Sequence, residues 1–394
     1  MTTHKVFLKP KKEQSLQRFH PWIFSGAIAK IDGKPDEGDL VDVYTASNEF
    51  IAKGHYQIGS IAIRVLSFDD EPIDDNFWLT RIKAAYELRK TIGLADNPVN
   101  NTFRLIHGEG DFLPGLIVDV YGETAVLQAH SVGMHFMRNI LAESILKATD
   151  GVVKNVYYKS ETTLPFKAEL DPTDGFLLGG DENNVAVENG LKFHVDWLKG
   201  QKTGFFIDQR DNRALLEKYA AGHAVLNMFC YTGGFSFYAM RGGAELVHSV
   251  DSSAKAIDLT NENIALNFGQ DPRHEAFSED AFRYLDRMGS EYDLIVLDPP
   301  AFAKHRSALR NALQGYRKIN AKAFEKIRPG GIVFTFSCSQ VVSKDDFRTM
   351  IFSAAAISKR KVRVLHQLTQ PADHPVSVYH PEGEYLKGLV LYVE

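Results

Sequence analysis

The sequence predicts an α/β protein in which a C-terminal doubly wound, Rossmann-like sheet follows a small N-terminal β-barrel and a middle α+β domain. The first 70 residues carry short β segments, such as "GDLVDVYTA" and "IAIRVLSF", separated by Gly, Asp, Pro and Asn. Helical spacing begins soon afterwards, and beyond about residue 190 apolar strands alternate with helix-like segments. We therefore predict domains over 1–70, 71–190 and 191–394.

The first boundary depends on a helix predicted within "DDEPIDDNFWLTRIKAAYELRKTIG". Its acidic start and the spacing of Phe77, Ile82, Ala85 and Leu88 favour one buried helix face. In the middle domain two strands flank a Gly/Pro turn in "NTFRLIHGEGDFLPGLIVDVYGETAVLQAH", a helix is predicted over about 133–148, and "GVVKNVYYKS" supplies another strand. The middle domain is therefore expected to be a compact α+β unit.

Composition and charge narrow the class of protein. With 394 residues, 44% of them hydrophobic, the chain is long enough for more than one core. The N-terminus lacks a secretory signal and no apolar run approaches a membrane span, so we expect a cytoplasmic protein without a membrane partner. Cys230 and Cys338 are too few for a disulfide framework or a thiolate zinc site, so no metal is expected. A net charge of −5 argues against a protein that coats nucleic acid, because phosphate binding needs concentrated Lys and Arg, but it is compatible with local basic patches.

Polar residues follow the first three strands of the predicted parallel sheet, where such sheets bind ligands. Gly233 and Gly234 in "FCYTGGFS" allow a ligand close to the backbone, although a tight turn without a ligand explains them equally well. Asp251 can accept hydrogen bonds from ribose hydroxyls and Asp280 from an adenine amino group, with helix capping as the alternative for each. Together they predict an adenosine-containing cofactor, and the absence of G-x-G-x-x-G argues against a diphosphate.

The fourth and fifth strands end in the residues that suggest chemistry. The fourth strand is followed directly by Asp298-Pro299-Pro300. The two prolines stiffen the chain, and the segment is either a rigid surface that binds a planar group or simply the end of the strand. The fifth ends in "FSCSQ". A cysteine there is either a small buried side chain or a reactive group, and the expected position of Cys338 opposite Asp298 favours the second interpretation. Cys230, in the cofactor loop, is interpreted as a packing residue.

These motifs resemble those of class I methyltransferases that use S-adenosylmethionine. More closely, the chain resembles the bacterial cytosine-5 methyltransferases of large-subunit ribosomal RNA, which carry an N-terminal PUA domain that binds RNA. The resemblance extends over nearly the whole chain and is carried by "HPWIFSGAI" (20–28), "GEGDFLPGLIVDVYG" (108–122), "KTGFFIDQR" (202–210), "NMFCYTGGFS" (227–236), "VLDPPAFAK" (296–304), "FSCSQ" (336–340) and "GEYLKG" (383–388).

The resemblance implies a role for particular positions. Asp251 would hold the ribose of S-adenosylmethionine, and Asp280 with Ala281 its adenine, while Ser252 would be a further cofactor-binding residue. The residues that would border the rest of the cofactor are Asp208, Gln209, Arg210, Phe229, Tyr231, Thr232, Gly233, Asp298 and Pro299.

The implied reaction explains the cysteine. Cytosine C5 is a poor nucleophile, but addition of the Cys338 thiolate at C6 makes C5 enamine-like. Asp298 would hydrogen-bond or protonate N3 as charge develops there. Many RNA cytosine-5 methyltransferases carry a second cysteine after the two prolines, where this chain has Ala301. The chain therefore resembles a single-cysteine branch, and neither the release step nor the base that activates the thiol is identified.

The implied partner is the 23S ribosomal RNA of the large subunit. Basic residues expected to contact it are Lys11, Lys12, Lys304, Arg306 and Arg317, although a solvated face explains any one cluster equally well. The sequence leaves the oligomeric state open, a homodimer included.

Four other functions compete with this hypothesis. A methyltransferase acting on an exocyclic amino group would need no cysteine, and a uracil-5 methyltransferase would use the same thiol but more often shows Ser-Cys-Asn-Pro. A noncatalytic RNA-binding ribosome-assembly factor would retain the fold without turnover. A nicotinamide dehydrogenase is disfavoured because the glycine fingerprint is absent.

Overall fold

The computed structural model describes residues 4–165, 170, 172–303 and 305–394, which form two compact units. Unit 1 comprises Met1–Gly190, Val195–Ile207 and Ala372–Gly383, and unit 2 comprises Leu191–His194, Asp208–Pro371 and Glu384–Glu394. The return of a late segment to unit 1 was not foreseen from the sequence. The division into three domains remains a prediction.

The N-terminal part of unit 1 is a six-stranded sheet, which confirms the predicted β module. Its strands are β1 (His4–Leu8), β2 (Trp22–Phe24), β3 (Ile28–Asp32), β4 (Leu40–Tyr44), β5 (Phe50–Tyr56) and β6 (Ile61–Ser67). The strand order is β2-β6-β5-β4-β1-β3, with β1 parallel to β4 and the other pairs antiparallel. Val6, Val41, Val43 and Ile63 are fully buried, as expected for one face of a sheet with alternating side chains.

Helix α1 (Asp75–Thr91) begins after Asp74, whose side chain accepts a hydrogen bond from a backbone N–H of the first turn. Phe77, Ile82 and Ala85 are buried as predicted, but the prediction was wrong for Leu88, which is 37% exposed. The buried stripe ends instead at Arg89, whose guanidinium forms a salt bridge with a buried carboxylate and is fully enclosed. The last buried position of the helix is therefore a paired charge and not the predicted apolar residue.

The rest of unit 1 is the predicted α+β unit. Its sheet has the order β11-β10-β9-β8-β7, with β9 and β10 parallel. The elements are β7 (Thr102–His107), β8 (Leu116–Tyr121), β9 (Thr124–Ala129), α2 (Val132–Phe136), α3 (Arg138–Ala148), β10 (Asn155–Tyr158), β11 (Gly175–Leu178) and β12 (Val185–Glu188). The single helix predicted over 133–148 is thus two helices, separated at Met137.

Unit 2 contains the predicted doubly wound sheet. After β13 (Leu191–His194) its strands are β14 (Ala224–Met228), β15 (Leu246–Asp251), β16 (His274–Ser278), β17 (Leu294–Leu297), β18 (Gly331–Ser337), β19 (Val362–Leu368) and β20 (Lys387–Val393). The order is β16-β15-β14-β17-β18-β20-β19. The first five strands are parallel, and β20 is antiparallel to both of its neighbours. The order reverses between β14 and β17, so a ligand site is expected at their carboxyl ends.

Helices cover both faces of this sheet. They are α4 (Arg210–Tyr219), α5 (Gly234–Arg241), α6 (Ala254–Phe268), α7 (Ala281–Arg287), α8 (Leu309–Lys326) and α9 (Lys344–Ser358). Val333 of β18 joins a core formed with α7, α8 and α9. Its neighbours Phe334 and Phe336 contact Tyr219 and Phe235 from the other helix layer. Alternate residues of one strand thus face opposite helix layers, as a buried parallel strand requires.

Within the described part of the chain, every helix is too short or too polar to cross a bilayer.

Candidate active site

The loop after β14 has an unusual backbone. Phe229 (φ 58°), Tyr231 (φ 49°) and Gly233 (φ 84°) all adopt the left-handed region. A Cβ at Gly233 would lie 2.7 Å from the ring of Phe237, so this position requires glycine for space as well as for φ. Thr260 holds the loop by donating its hydroxyl hydrogen to the Tyr231 carbonyl (2.9 Å). Backbone strain of this kind concentrates at ligand-binding sites.

Asp251, the last residue of β15, faces this loop. Its Oδ2 accepts a hydrogen bond from the Tyr231 N–H (3.1 Å) and its Oδ1 accepts one from the Ser253 N–H (2.9 Å). The cap of α6 is Ser253, whose side chain accepts from Ala256 N–H. Capping therefore does not account for Asp251, and the exposed Ser252 lies beside it.

Asp280 differs from Asp251. It is exposed and caps α7, because its Oδ1 accepts a hydrogen bond from the Arg283 N–H (3.0 Å). Asp280 is therefore a helix cap, which was the alternative interpretation of this residue. Its contact with the adenine of the cofactor remains a prediction. Ala281, directly after it, is buried in the core.

Asp298 follows the last residue of β17 and is held by a side-chain relay. Gln209 donates from Nε2 to Asp298 Oδ2 (3.1 Å), while Asn212 donates to Gln209 Oε1 (2.6 Å). The sequence suggested that Gln209 borders the cofactor, whereas the structure places both ends of its side chain in this relay. Burial, and next the charge of Asp208, raise the pKa of Asp298 to about 7. This carboxyl group is consequently protonated in much of the population at neutral pH.

Asp208 lies near Asp298 and fits a cationic ligand group. Its Oδ2 accepts a hydrogen bond from the Tyr385 hydroxyl (2.7 Å). Its Oδ1 is buried and has no hydrogen-bond partner among the described residues. A buried carboxylate oxygen without a partner is costly, and a ligand ammonium group would satisfy it. The neighbouring Arg210 is buried at the start of α4, 3.6 Å from Asp211.

Cys338 directly follows β18 and is half-buried. The next residue, Ser339, donates its hydroxyl hydrogen to the Ala303 carbonyl (2.6 Å), which connects the cysteine loop to the chain that follows Asp298. Cys230, in contrast, is buried, and burial raises the pKa of its thiol far above the ordinary value. The two thiols therefore occupy different environments, and the thiol of Cys338 is the more accessible of the two.

Lys387 is a site residue that sequence reasoning missed. It lies opposite Ser337 on β20, and its Nζ donates to the carbonyls of Ser339 (2.5 Å) and Tyr385 (2.7 Å). Burial lowers the pKa of Lys387 to about 8, and the charge of Cys338 partly opposes this shift. The motif "GEYLKG" was noticed in the sequence, but nothing local indicated that its lysine reaches the cysteine loop.

Tyr316 of α8 was also missed. Its ring is fully buried and packs against Phe302 in a tilted arrangement, with centroids 4.6 Å apart. Burial is the main cause that raises the pKa of Tyr316 to about 12, and the charges of Cys338 and Asp298 contribute. Tyr316 thus belongs to the core beside Phe302, which follows the Asp298-Pro299-Pro300 turn. No sequence signal distinguishes it from other core aromatics on an amphipathic helix.

The residues predicted to contact RNA are found at the surface where the structure describes them. Arg306 and Arg317 are exposed in unit 2, and Lys11 and Lys12 are exposed in unit 1. Lys304 lies outside the described residues. The role of all five in binding RNA remains a prediction.

The fold and the site together define a class I methyltransferase. The sheet of unit 2 is parallel except for β20, the loop after β14 adopts left-handed backbone angles, and aspartates follow or end the next strands. The sequence model of the S-adenosylmethionine-dependent methyltransferase family matches residues 171–381, and that of the PUA-like domain matches residues 6–68. The chain belongs to the ribosomal RNA large subunit methyltransferase I family of S-adenosylmethionine-dependent enzymes.

Two relatives illustrate this membership. Ribosomal RNA large subunit methyltransferase I of Shewanella denitrificans is 40% identical over 99% of both chains. The protein of the same name from Alteromonas mediterranea is 39% identical over 99% of this chain and 98% of its own. A solved structure described as a methyltransferase complexed with SAH has the same fold, with a TM-score of 0.84 and 22% identity over 99% of this chain and 100% of its own.

The residues present fit S-adenosylmethionine. The unpartnered Asp208 Oδ1 suits the ammonium of its methionine part, and Asp251 suits its ribose hydroxyls. When bound, the cofactor supplies a methyl group on a positively charged sulfur.

Replacing Asp251 by Ala is expected to weaken binding of S-adenosylhomocysteine by about 10- to 100-fold, since a hydrogen bond to a charged group contributes about 1.5–3 kcal/mol. Isothermal titration calorimetry measures the change directly. Asp258→Ala is the matched control, because Asp258 is exposed on α6 of the same unit. Equal affinities for wild type and Asp251→Ala would remove Asp251 from the cofactor site.

Proposed function

We propose that this chain transfers a methyl group from S-adenosylmethionine to C5 of a cytosine in large-subunit ribosomal RNA, through a covalent adduct with Cys338. The observation that carries the proposal is the pairing of a half-buried thiol and a carboxyl group of raised pKa at adjacent strand ends. The names of the relatives support ribosomal RNA as the substrate.

The strand register supports joint action of the two groups. Leu297 of β17 pairs with Thr335 of β18, and the strands are parallel. Asp298 and Cys338 therefore leave the same edge of the sheet, one residue beyond their strands. A base inserted between them would meet the thiol on its C6 side and the carboxyl group on its N3 side.

The proposed reaction begins with addition of the Cys338 thiolate to C6. The electron pair of the C5–C6 double bond moves through the ring, and N3 takes a proton from Asp298, which leaves C5 enamine-like. C5 would then form a bond to the methyl carbon while the bond from that carbon to the cofactor sulfur breaks, with S-adenosylhomocysteine as the leaving group. Loss of the C5 proton to a base restores the double bond and expels Cys338 as a thiolate, while N3 returns its proton to Asp298.

Asp298 also favours cytosine over uracil as the target. Cytosine N3 is a hydrogen-bond acceptor and suits a protonated carboxyl group, whereas uracil N3 carries a proton of its own. Because the pKa of Asp298 is about 7, its protonated form is present at neutral pH. We therefore assign cytosine rather than uracil.

The test is adduct formation on ribosomal RNA fragments containing 5-fluorocytosine, in the presence of S-adenosylmethionine. Fluorine cannot leave C5 as a proton does, so wild type and Cys230→Ala are expected to form a protein–RNA adduct on denaturing gels, and Cys338→Ala to form none. Tritiated methyl incorporation into unsubstituted RNA without any adduct would contradict the thiol mechanism and favour amino-group methylation. An adduct on 5-fluorouracil RNA alone would favour uracil. RNA binding without methylation or adduct would favour a noncatalytic assembly factor.

Lys387 is proposed to stabilise the Cys338 thiolate by its charge. Lys387→Met is expected to lower kcat about 10- to 100-fold near neutral pH and less at alkaline pH, where the thiolate forms without the ammonium group. The pH dependence of kcat therefore shifts to higher pH, which a loss of packing alone would not cause. The matched control is Lys344→Met, because Lys344 is an exposed neighbour that pairs with Glu384. An unchanged pH profile for Lys387→Met would exclude this role.

A further inference from the structure

We propose that His20, His380 and Glu382 form a binding site in unit 1 for a divalent transition-metal ion, with Zn²⁺ as the best fit. Two imidazoles and one carboxylate are the ligand set that such ions prefer. All three residues belong to unit 1, whereas the residues of the proposed active site belong to unit 2.

The three side chains already converge. His20 Nε2 lies 3.6 Å from Glu382 Oε1, and His380 Nε2 lies 3.8 Å from Glu382 Oε2. One ligand atom from each residue can be chosen so that all lie within 4.8 Å of one another. A tetrahedral zinc ion with bonds of about 2.0–2.1 Å separates its ligand atoms by roughly 3.3 Å. Small side-chain rotations would therefore close the site.

His380 supplies the independent observation. It is 3% exposed, and neither of its ring nitrogens has a hydrogen-bond partner among the described residues. Its ring is packed edge-on against Trp22, with centroids 4.3 Å apart. A buried imidazole without partners is costly, and a metal bond at Nε2 would remove part of that cost.

His20 is oriented by its own backbone neighbour. Its Nδ1 accepts a hydrogen bond from the Trp22 N–H (3.2 Å) and also lies 3.4 Å from the Trp22 carbonyl oxygen, and these contacts hold the ring with Nε2 toward Glu382. A metal bond at Nε2 requires the tautomer with its proton on Nδ1, which would then donate to the Trp22 carbonyl, as the second ring nitrogen of histidine metal ligands commonly does. Trp22 Nε1 donates in turn to Glu109 (2.7 Å), which brings a further carboxylate to the border of the site.

The location explains what the ion would do. His20 precedes β2, whereas His380 and Glu382 belong to the segment Ala372–Gly383 that returns to unit 1. A metal bound by both would anchor this late segment to the N-terminal sheet. Three protein ligands leave a fourth position for water, and the half-exposed Glu382 gives the ion access. The expectation of no metal rested on the cysteine count and did not consider imidazole ligands.

The experiment uses the full chain, stripped of metal by a chelator and then titrated with Zn²⁺ in competition with a chromophoric chelator. Wild type is expected to bind one Zn²⁺ per chain and to unfold at a higher temperature with Zn²⁺ than without. His380→Ala and Glu382→Gln are expected to bind at least about 100-fold more weakly, since loss of one of three ligands removes most of the site. Co²⁺ substitution supplies a visible absorption band that reports imidazole and carboxylate coordination in wild type.

Controls separate ligand loss from misfolding. Glu382 is half-exposed, so Glu382→Gln retains shape and should leave circular dichroism unchanged while Zn²⁺ affinity falls. His305→Ala removes an exposed histidine elsewhere and should bind Zn²⁺ as wild type does. Absence of stoichiometric Zn²⁺ binding by wild type, or binding equal in wild type and Glu382→Gln, would overturn the proposal.

Discussion

Cys338→Ala is expected to lower kcat for RNA methylation by at least about 10⁴-fold, because without thiolate addition C5 of the base stays too weak a nucleophile. The affinity for S-adenosylhomocysteine should stay within about twofold of wild type, since the predicted cofactor contacts come from other strand ends. Single-turnover methyl incorporation measures the chemical step apart from binding.

Cys230→Ala is the matched control for this prediction. Cys230 is buried, and its Sγ contacts the Thr260 hydroxyl at 3.8 Å. Loss of one buried sulfur is expected to cost stability rather than turnover, with kcat within about threefold of wild type. A Cys338→Ala enzyme that retained more than a tenth of the wild-type kcat would refute a covalent mechanism.

Asp298→Asn is expected to lower kcat by about 10²- to 10³-fold, because an amide can donate a hydrogen bond to N3 but cannot transfer a proton to it. In wild type, activity should fall as pH rises through about 7, where Asp298 loses its proton. The variant should lack this decrease. The measurement is kcat against pH for both enzymes.

The same substitution has an expected effect on stability, and its sign follows from the pKa. The carboxyl group titrates at about 7 in the folded chain against an ordinary value of 3.8. Between these values the folded state holds more protons than the unfolded state, so the free energy of unfolding falls as pH rises. At about pH 8 the ionised Asp298 costs up to about 4 kcal/mol, given about 1.36 kcal/mol per pKa unit.

Thermal unfolding checks this second consequence. Asp298→Asn should raise the melting temperature relative to wild type, and the gain should be larger at about pH 8 than at about pH 5. Asp208→Asn serves for comparison, because the Asp208 charge is one cause of the raised Asp298 pKa. A gain independent of pH would mean that Asp298 is ionised throughout this range, and its role as proton donor would have to be abandoned.

Much of the proposed active site was predictable because strand ends are encoded locally. The alternation of apolar strands with helical segments predicted the parallel sheet, and its strand ends then selected Asp251, Asp298 and Cys338. Helix capping is also a local property. However, the sequence could not distinguish Asp280, which caps its helix, from Asp251, which does not.

The contacts between distant segments were not predictable. Gln209 and Asp298 are 89 residues apart, and only the packing of α4 against the strand ends brings them together. Helix α1 shows the same limit, since Leu88 fitted the apolar spacing but is partly exposed, whereas the next residue, Arg89, is buried through a salt bridge with a residue outside the helix.

The sequence by itself determined which elements form and which residues stand at the ends of the strands, because hydrophobic period and turn chemistry act over a few residues. The tertiary structure alone decided which side chains meet. It placed Lys387 on the cysteine loop, raised the pKa of Asp298 through burial and the charge of Asp208, and brought His20 to His380. Burial and charge–charge distances depend on the whole packed chain, and for that reason the electrostatics of the site could not be obtained from the order of its residues.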